Sequence, residues 1–180
     1  MKLSDIKNGN LSAEWAEKGY ELPKFDIEAV KAKTHAEPTW VHFGAGNIFR
    51  GFIAGLQQRL LNAGLAESGI VAAETFDYDI IDKIYVPHDS MTLMVSLKAD
   101  GSTQKEVIAS IAKGIKANCA DEAQWQQLTD VFTASSLQMA SFTITEKGYA
   151  LRNMKGELLP VVVSDMENGP KQAHHAMAVV

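Results

Sequence analysis

Two glycines and the polar residues near them are the first candidates for chemistry in this chain. Gly44-Ala45-Gly46-Asn47 follows an apolar run directly and opens a helical pattern. In such a turn the first glycine bends tightly and the second lets backbone approach a pyrophosphate. The unpaired N–H groups and positive end of the next helix then attract its charge. The third glycine position of G-x-G-x-x-G holds Phe49, with Gly51 the next glycine, so spacing alone leaves open a turn that only packs a helix on a sheet. Arg50 falls in the first helical turn, where the helix dipole disfavours a cation unless an external anion compensates; the alternative is a solvated surface arginine. Asp77, just past the next strand, is placed to accept hydrogen bonds from a ribose hydroxyl pair, which would select NAD over NADP. It lies further from the glycines than the usual ~20 residues. Glu74 competes for that role, and Asp77 could also cap the helix that opens at YDIIDKI. Lys147, in TEKGY, sits at a strand's carboxyl end, where α/β proteins bind ligands; it could touch a cofactor phosphate or be an ordinary turn lysine.

Other reactive side chains carry weaker signals. His42 precedes the glycine turn on a buried strand and reads as a hydrogen-bonded core histidine. His174 and His175 are adjacent, so on a helix they project about 100° apart and cannot both face one metal. Cys119 has no motif around it. No metal site is expected.

The elements that must hold these residues follow from hydrophobic patterning. Residues 1–38 form a polar lead-in with helical patterns at Ser12–Lys18 and after Asp26, a candidate N-cap. TWVHF is a β-branched and aromatic run. Beyond the glycine turn, Ile48, Phe52, Leu56 and Leu60 recur at helical spacing until Asn62-Ala63-Gly64. GIVAAETF then reads as a buried strand, giving a right-handed βαβ unit with parallel neighbours. Asp100-Gly101 marks a hairpin between two strand-like runs, an antiparallel excursion. Asp121 can cap a helix through DEAQWQQLTDVF, and LQMASFTIT reads as a further core strand. Gly169-Pro170 is a good helix opening, since proline is tolerated at the first helical position. That pattern stops on apolar Val179-Val180 without a terminating signal, as expected of a cut helix. Alternating strands and helices predict an α/β fold, a doubly wound, mainly parallel sheet spanning 39–180 with the lead-in packed on it.

Composition narrows the function classes. The 180 residues are 46% hydrophobic and 22% charged, with 17 basic against 22 acidic side chains, as in a globular domain that needs no disulfide or metal staple. One cysteine fits a reducing compartment, and the expected location is the cytoplasm. The mixed-charge N-terminus lacks a signal peptide's apolar centre. The uncharged run 131–145 is interrupted by Thr, Ser and Gln and is shorter than the ~20 apolar residues of a spanning helix. Neither membrane nor nucleic acid is an expected partner, because no basic stripe is present to displace counterions from phosphates.

VHFGAGNIFRGFIAGL followed by a strand leading into TITEKGY resembles the N-terminal domain of the polyol-specific long-chain dehydrogenases. That family includes mannitol dehydrogenases, fructuronate reductases and tagaturonate reductases. HFGAGNIFRGF is also similar to the opening of mannitol-1-phosphate 5-dehydrogenase, with Phe49 where that enzyme has glycine. The long lead-in and TEKGY favour the fructuronate reductase branch. The resemblance implies a Rossmann-like fold and NAD-dependent, zinc-free hydride transfer on a sugar acid or polyol, with D-mannonate and D-fructuronate the favoured pair. It also implies that Gly44, Gly46, Asn47, Phe49 and Arg50 meet the pyrophosphate and Asp77 the adenosine ribose, with Ile48 and Glu74 further cofactor-binding candidates. Thr145, Glu146, Lys147 and Gly148 would meet the cofactor's far side. The acid/base lysine, with Asn and His, is expected in a C-terminal helical domain beyond residue 180, so this chain alone is expected to be inactive. Two other readings remain: an S-adenosylmethionine methyltransferase, disfavoured because its third glycine would fall at Ile48, and a nucleotide-sensing module without chemistry.

Overall fold

The computed structural model describes residues 2–8 and 12–180. After a 3₁₀ turn at Leu3–Asn8, the chain runs through α1 (Ser12–Glu17), β1 (Tyr20–Glu21) and α2 (Ile27–Ala36). Asp26 caps α2, its carboxylate accepting the Ala29 N–H at 3.0 Å. Then come β2 (Trp40–Phe43), α3 (Ala54–Asn62) and β3 (Ile70–Glu74). A π-helical turn at Phe49–Ile53 leads into α3, and a second at Ile81–Tyr85 follows β3. Strands β4 (Thr92–Leu97), β5 (Thr103–Ile108) and β6 (Ile111–Lys116) precede α4 (Glu122–Thr133), which Asp121 caps through the Gln124 N–H. The chain continues with β7 (Met139–Phe142), the single-turn α5 (Glu146–Tyr149), α6 (Pro160–Asn168) and α7 (Ala176–Val179).

Four parallel strands in the order β6-β3-β2-β7 form the main sheet. Alternate side chains feed two cores, because successive residues of a strand face opposite sides. Val41, Phe43, Val71, Ala73 and Ile115 pack under α4 and the C-terminal segment, against Leu128, Val131, Ala173 and Val179. Ile70, Ala72 and Ile111 pack on the other face against Phe49, Ala54, Ile81 and Tyr85. Helical layers on both faces make this the doubly wound α/β architecture expected of the sequence.

The expected antiparallel hairpin forms, and it stands apart from the main sheet: β4 and β5 pair antiparallel and β5 takes β1 as a parallel neighbour, giving a second sheet β1-β5-β4. The lead-in packs on it, with Ile6, Trp15 and Ile27 buried against Met91, Val107 and Ala109. Strand β6 is absent from the expectations because Lys113, Gly114 and Lys116 break its apolar pattern. Gly114 is there to make room, since a Cβ would lie 2.9 Å from both Ile81 and the Tyr85 ring. Last, Gly169-Pro170 opens only a 3₁₀ turn, and α7 begins after His175, whose Nδ1 accepts the Met177 N–H at 3.2 Å. Its Nε2 then carries the proton and donates to the Ala150 carbonyl at 3.0 Å. Among the described residues, no helix is long and apolar enough to cross a membrane.

Candidate cofactor-binding site

The glycine turn leaves the carboxyl end of β2, and the strand order reverses there: β3 and β6 lie on one side of β2, and β7 on the other. In open α/β sheets this switch point is where ligands bind, because loops on its two sides diverge and leave a crevice.

A polar chain anchors the turn to β7. The Trp40 indole donates to Ser141 Oγ at 2.6 Å, Ser141 and His42 Nδ1 are 2.7 Å apart, and His42 Nε2 lies 2.8 Å from Thr143 Oγ1. Thr143 Oγ1 reaches the Gly44 carbonyl at 3.5 Å. One direction gives every group a partner: Trp40 to Ser141, Ser141 to Nδ1, protonated Nε2 to Thr143, and Thr143 to Gly44. That arrangement needs a neutral imidazole, and burial supplies it by pushing the His42 pKa down to about 4. The ring is fully buried and stacks on Phe49, centroids 4.2 Å apart at 7°. His42 is therefore the hydrogen-bonded core histidine its sequence position suggested.

The two glycines do different work. Gly44 has φ +103°, and a Cβ there would sit 2.5 Å from the Thr143 carbonyl oxygen, so its missing side chain lets β7 close on the turn. A Cβ at Gly46 would meet nothing within 4 Å, so this position leaves open space for a ligand. The first intrahelical bond runs from the Arg50 N–H to the Gly46 carbonyl at 3.0 Å. The amides just before it are those a helix start leaves without intrahelical acceptors.

Glu74 braces the turn from β3. One carboxylate oxygen accepts the Ala45 N–H at 2.8 Å; the other accepts those of Thr75 and Phe76 at 3.0 Å and Asp77 at 3.4 Å. Tyr85 donates to the Ala45 carbonyl at 3.0 Å, and burial raises its pKa above the ordinary phenol value. A carboxylate so occupied is a structural brace, and the exposed Asp77 is left as the acidic group facing solvent. Asp77 does not cap the following helix through its side chain; its backbone carbonyl accepts the Ile80 N–H.

Arg50 hydrogen-bonds Asn47 Oδ1, while its buried Nε has no partner. An unpartnered guanidinium nitrogen is uncommon in a folded chain, because buried polar groups are almost always hydrogen-bonded. Asn47 and Ile48 are exposed; the Phe49 side chain is buried, leaving only its backbone to contribute. Thr145, Glu146 and Lys147 are exposed around α5, two to four residues beyond Thr143, with Gly148 partly covered. Sequence reasoning passed over Tyr85, Ser141 and Thr143, because no motif marks the partner of a backbone carbonyl or of a buried imidazole. A separate polar cleft of about 550 Å³, lined by Glu21, Lys24, Arg59, Gln104 and Glu106 among others, shares no residue with the glycine turn. Among the described residues, no group of His, Cys, Asp and Glu could hold a metal ion.

No family model matches the chain. D-mannonate oxidoreductase from Thermotoga maritima is 43% identical over 168 residues, 93% of this chain and 31% of that enzyme. The uncharacterized oxidoreductase YeiQ of Escherichia coli K12 is 25% identical over 161 residues, 88% of this chain and 31% of its own. The chain thus spans about a third of the length of these relatives. Among solved structures, D-sorbitol dehydrogenase in its substrate-free form superposes with a TM-score of 0.70 at 24% identity, over 89% of this chain and 32% of that one. Mannitol 2-dehydrogenase of Pseudomonas fluorescens, in a ternary complex with NAD and D-mannitol, gives 0.72 at 22% identity, with the same coverage of both chains. The fold is shared with these dehydrogenases, and in sequence the chain is similar to about a third of D-mannonate oxidoreductase.

Proposed function

We propose that the chain is the NAD-binding part of a dehydrogenase that moves hydride between nicotinamide and a secondary alcohol of a sugar acid or polyol, with D-mannonate and D-fructuronate the favoured pair. The observation that carries this is the glycine turn at the sheet's switch point, with open space at Gly46 and an unpartnered Arg50 Nε beside a helix start. The 43% identity to D-mannonate oxidoreductase supports the choice of substrate pair.

In this reading the backbone of Gly46, Asn47, Ile48 and Phe49 receives the pyrophosphate, and the Arg50 guanidinium balances its charge. Asp77 accepts hydrogen bonds from the adenosine ribose, and its negative charge disfavours a 2′-phosphate. Thr145, Glu146, Lys147 and Gly148 border the far side. Bound NAD supplies the hydride acceptor. The chain's own residues bind and orient; the group that takes the hydroxyl proton belongs to the part of the family's chain outside the matched third. Hydride transfer needs that base in near contact with the carbinol.

Titration calorimetry with NADH, NADPH and S-adenosylmethionine tests the proposal. NADH is expected to bind in preference to the other two, with Arg50→Ala weakening it about tenfold, in line with the loss of a charge-assisted hydrogen bond. Binding of S-adenosylmethionine alone, or of none of the three, would overturn it. Turnover of D-mannonate by the 180-residue chain by itself would contradict the division of labour.

A further inference from the structure

The stripe that signals the helix after the glycine turn is not the face the helix buries. Ile48, Phe52, Leu56 and Leu60 follow one another at four-residue intervals and are 69, 64, 43 and 44% exposed. The buried face instead includes two glutamines. Gln57 Nε2 donates to the Ser68 carbonyl at 2.7 Å; Gln58 donates to the Val107 carbonyl at 2.5 Å and accepts the Ala109 N–H at 2.7 Å. An amphipathic surface helix points its apolar stripe inward and its charges outward. Here the inner face is filled by Phe49, Ala54 and Leu61 together with the two glutamines, the four-residue stripe is left outside, and of the two charged residues between 47 and 62 only Arg59 is exposed. Four aligned apolar side chains over ~18 Å of helix form the kind of anchor row that a groove on a partner receives.

We propose that this stripe is the seat of the part of the dehydrogenase that lies outside the matched third. D-mannonate oxidoreductase carries more than twice as much chain again beyond the 31% matched here, enough for a further domain. The stripe also starts at Ile48, two residues after Gly46, so its cover would border the glycine turn directly. A domain seated there would bury the apolar row and exclude water from the site in one movement. The identity of the occupant rests on the dehydrogenase reading, but the contact is measured without cofactor, so a failure to bind NADH and a failure to dock are separate results.

The test places single cysteines at Phe52→Cys, Leu56→Cys and, off the stripe, Leu65→Cys, each with Cys119→Ser, and follows maleimide labelling by peptide mass spectrometry. Leu65 is 76% exposed and serves as the control. In the 180-residue chain all three sites are expected to label at similar rates. In a hybrid where this chain replaces the matched third of the Thermotoga enzyme, positions 52 and 56 are expected to label at least tenfold more slowly, with 65 unchanged. Equal rates in chain and hybrid would overturn the proposal. Protection that rises with concentration in the isolated chain, with a dimer mass by sedimentation, would assign the stripe to a second copy and overturn it as well. If the hybrid fails to fold, the same cysteines go into the aligned positions of the intact Thermotoga enzyme, where fast labelling overturns the proposal and slow labelling supports it.

Discussion

Substituting the two glycines of the turn separates packing from ligand approach. At Gly44 an alanine meets two penalties: φ of +103° lies outside the region L-residues favour, and its Cβ would sit 2.5 Å from the Thr143 carbonyl oxygen. The backbone penalty is roughly 1–2 kcal/mol. Forcing β7 aside is an overpacking cost of roughly 1–3 kcal/mol. Gly44→Ala is therefore expected to lose about 2–5 kcal/mol, a large share of the ~5–15 kcal/mol that holds a domain together. Gly46→Ala has open space around its Cβ and no left-handed φ, so its stability should stay within about 1 kcal/mol of wild type. The same methyl would occupy the proposed ligand approach and weaken NADH binding at least tenfold. Urea unfolding at constant m-value reads the stability, and calorimetry reads the affinity. Equal destabilisation by the two substitutions would refute the assignment of packing to Gly44 and approach to Gly46, and so would unchanged affinity in Gly46→Ala.

Two further outcomes follow from the braces on the turn. His42 stays neutral in the fold down to about pH 4, whereas unfolded histidine protonates near 6.5. The unfolded state thus gains protons first, so stability is complete above pH 6.5 and falls towards pH 4. The loss is at most about 3 kcal/mol, at ~1.36 kcal/mol per pH unit. His42→Gln keeps two polar ends without titrating, and urea midpoints between pH 7 and 4.5 should show a flatter profile for it; parallel profiles would contradict the assignment. Glu74→Gln places an NH₂ where an oxygen now accepts a backbone N–H, leaving Ala45 or the loop amides unpaired. It should cost about 1–3 kcal/mol and speed hydrogen exchange at the orphaned amide, measured by NMR. Unchanged exchange at Ala45, Thr75 and Phe76 would remove the brace.

Local chemistry was legible where a residue acts on its own neighbours. Asp26 and Asp121 cap the helices their positions announce, and TWVHF and GIVAAETF form the parallel pair around the glycine turn. What escaped was set by distant partners. IAKGIK becomes β6 because Gly114 accommodates Tyr85 from another segment, a fit that periodicity cannot display. Glu74 has the type and place of a ribose ligand, and only three-dimensional closure shows its carboxylate taken up by four backbone amides. LQMASFTIT forms β7, which among the described residues borders the sheet and leaves Met139 and Ala140 exposed. The row at Ile48, Phe52, Leu56 and Leu60 marked the right element, while the buried face is made by Phe49, Ala54 and Leu61 with Gln57 and Gln58 capturing backbone groups of other segments.

The central claim is that the glycine turn receives the cofactor, and an NADH titration followed through backbone amide NMR tests it most directly. The largest shifts are expected at Gly46, Asn47, Ile48, Phe49 and Asp77, lost in Gly46→Val, with the cleft at Glu21, Gln104 and Glu106 undisturbed. Shifts confined to that cleft, or none at the turn at saturating NADH, would contradict it.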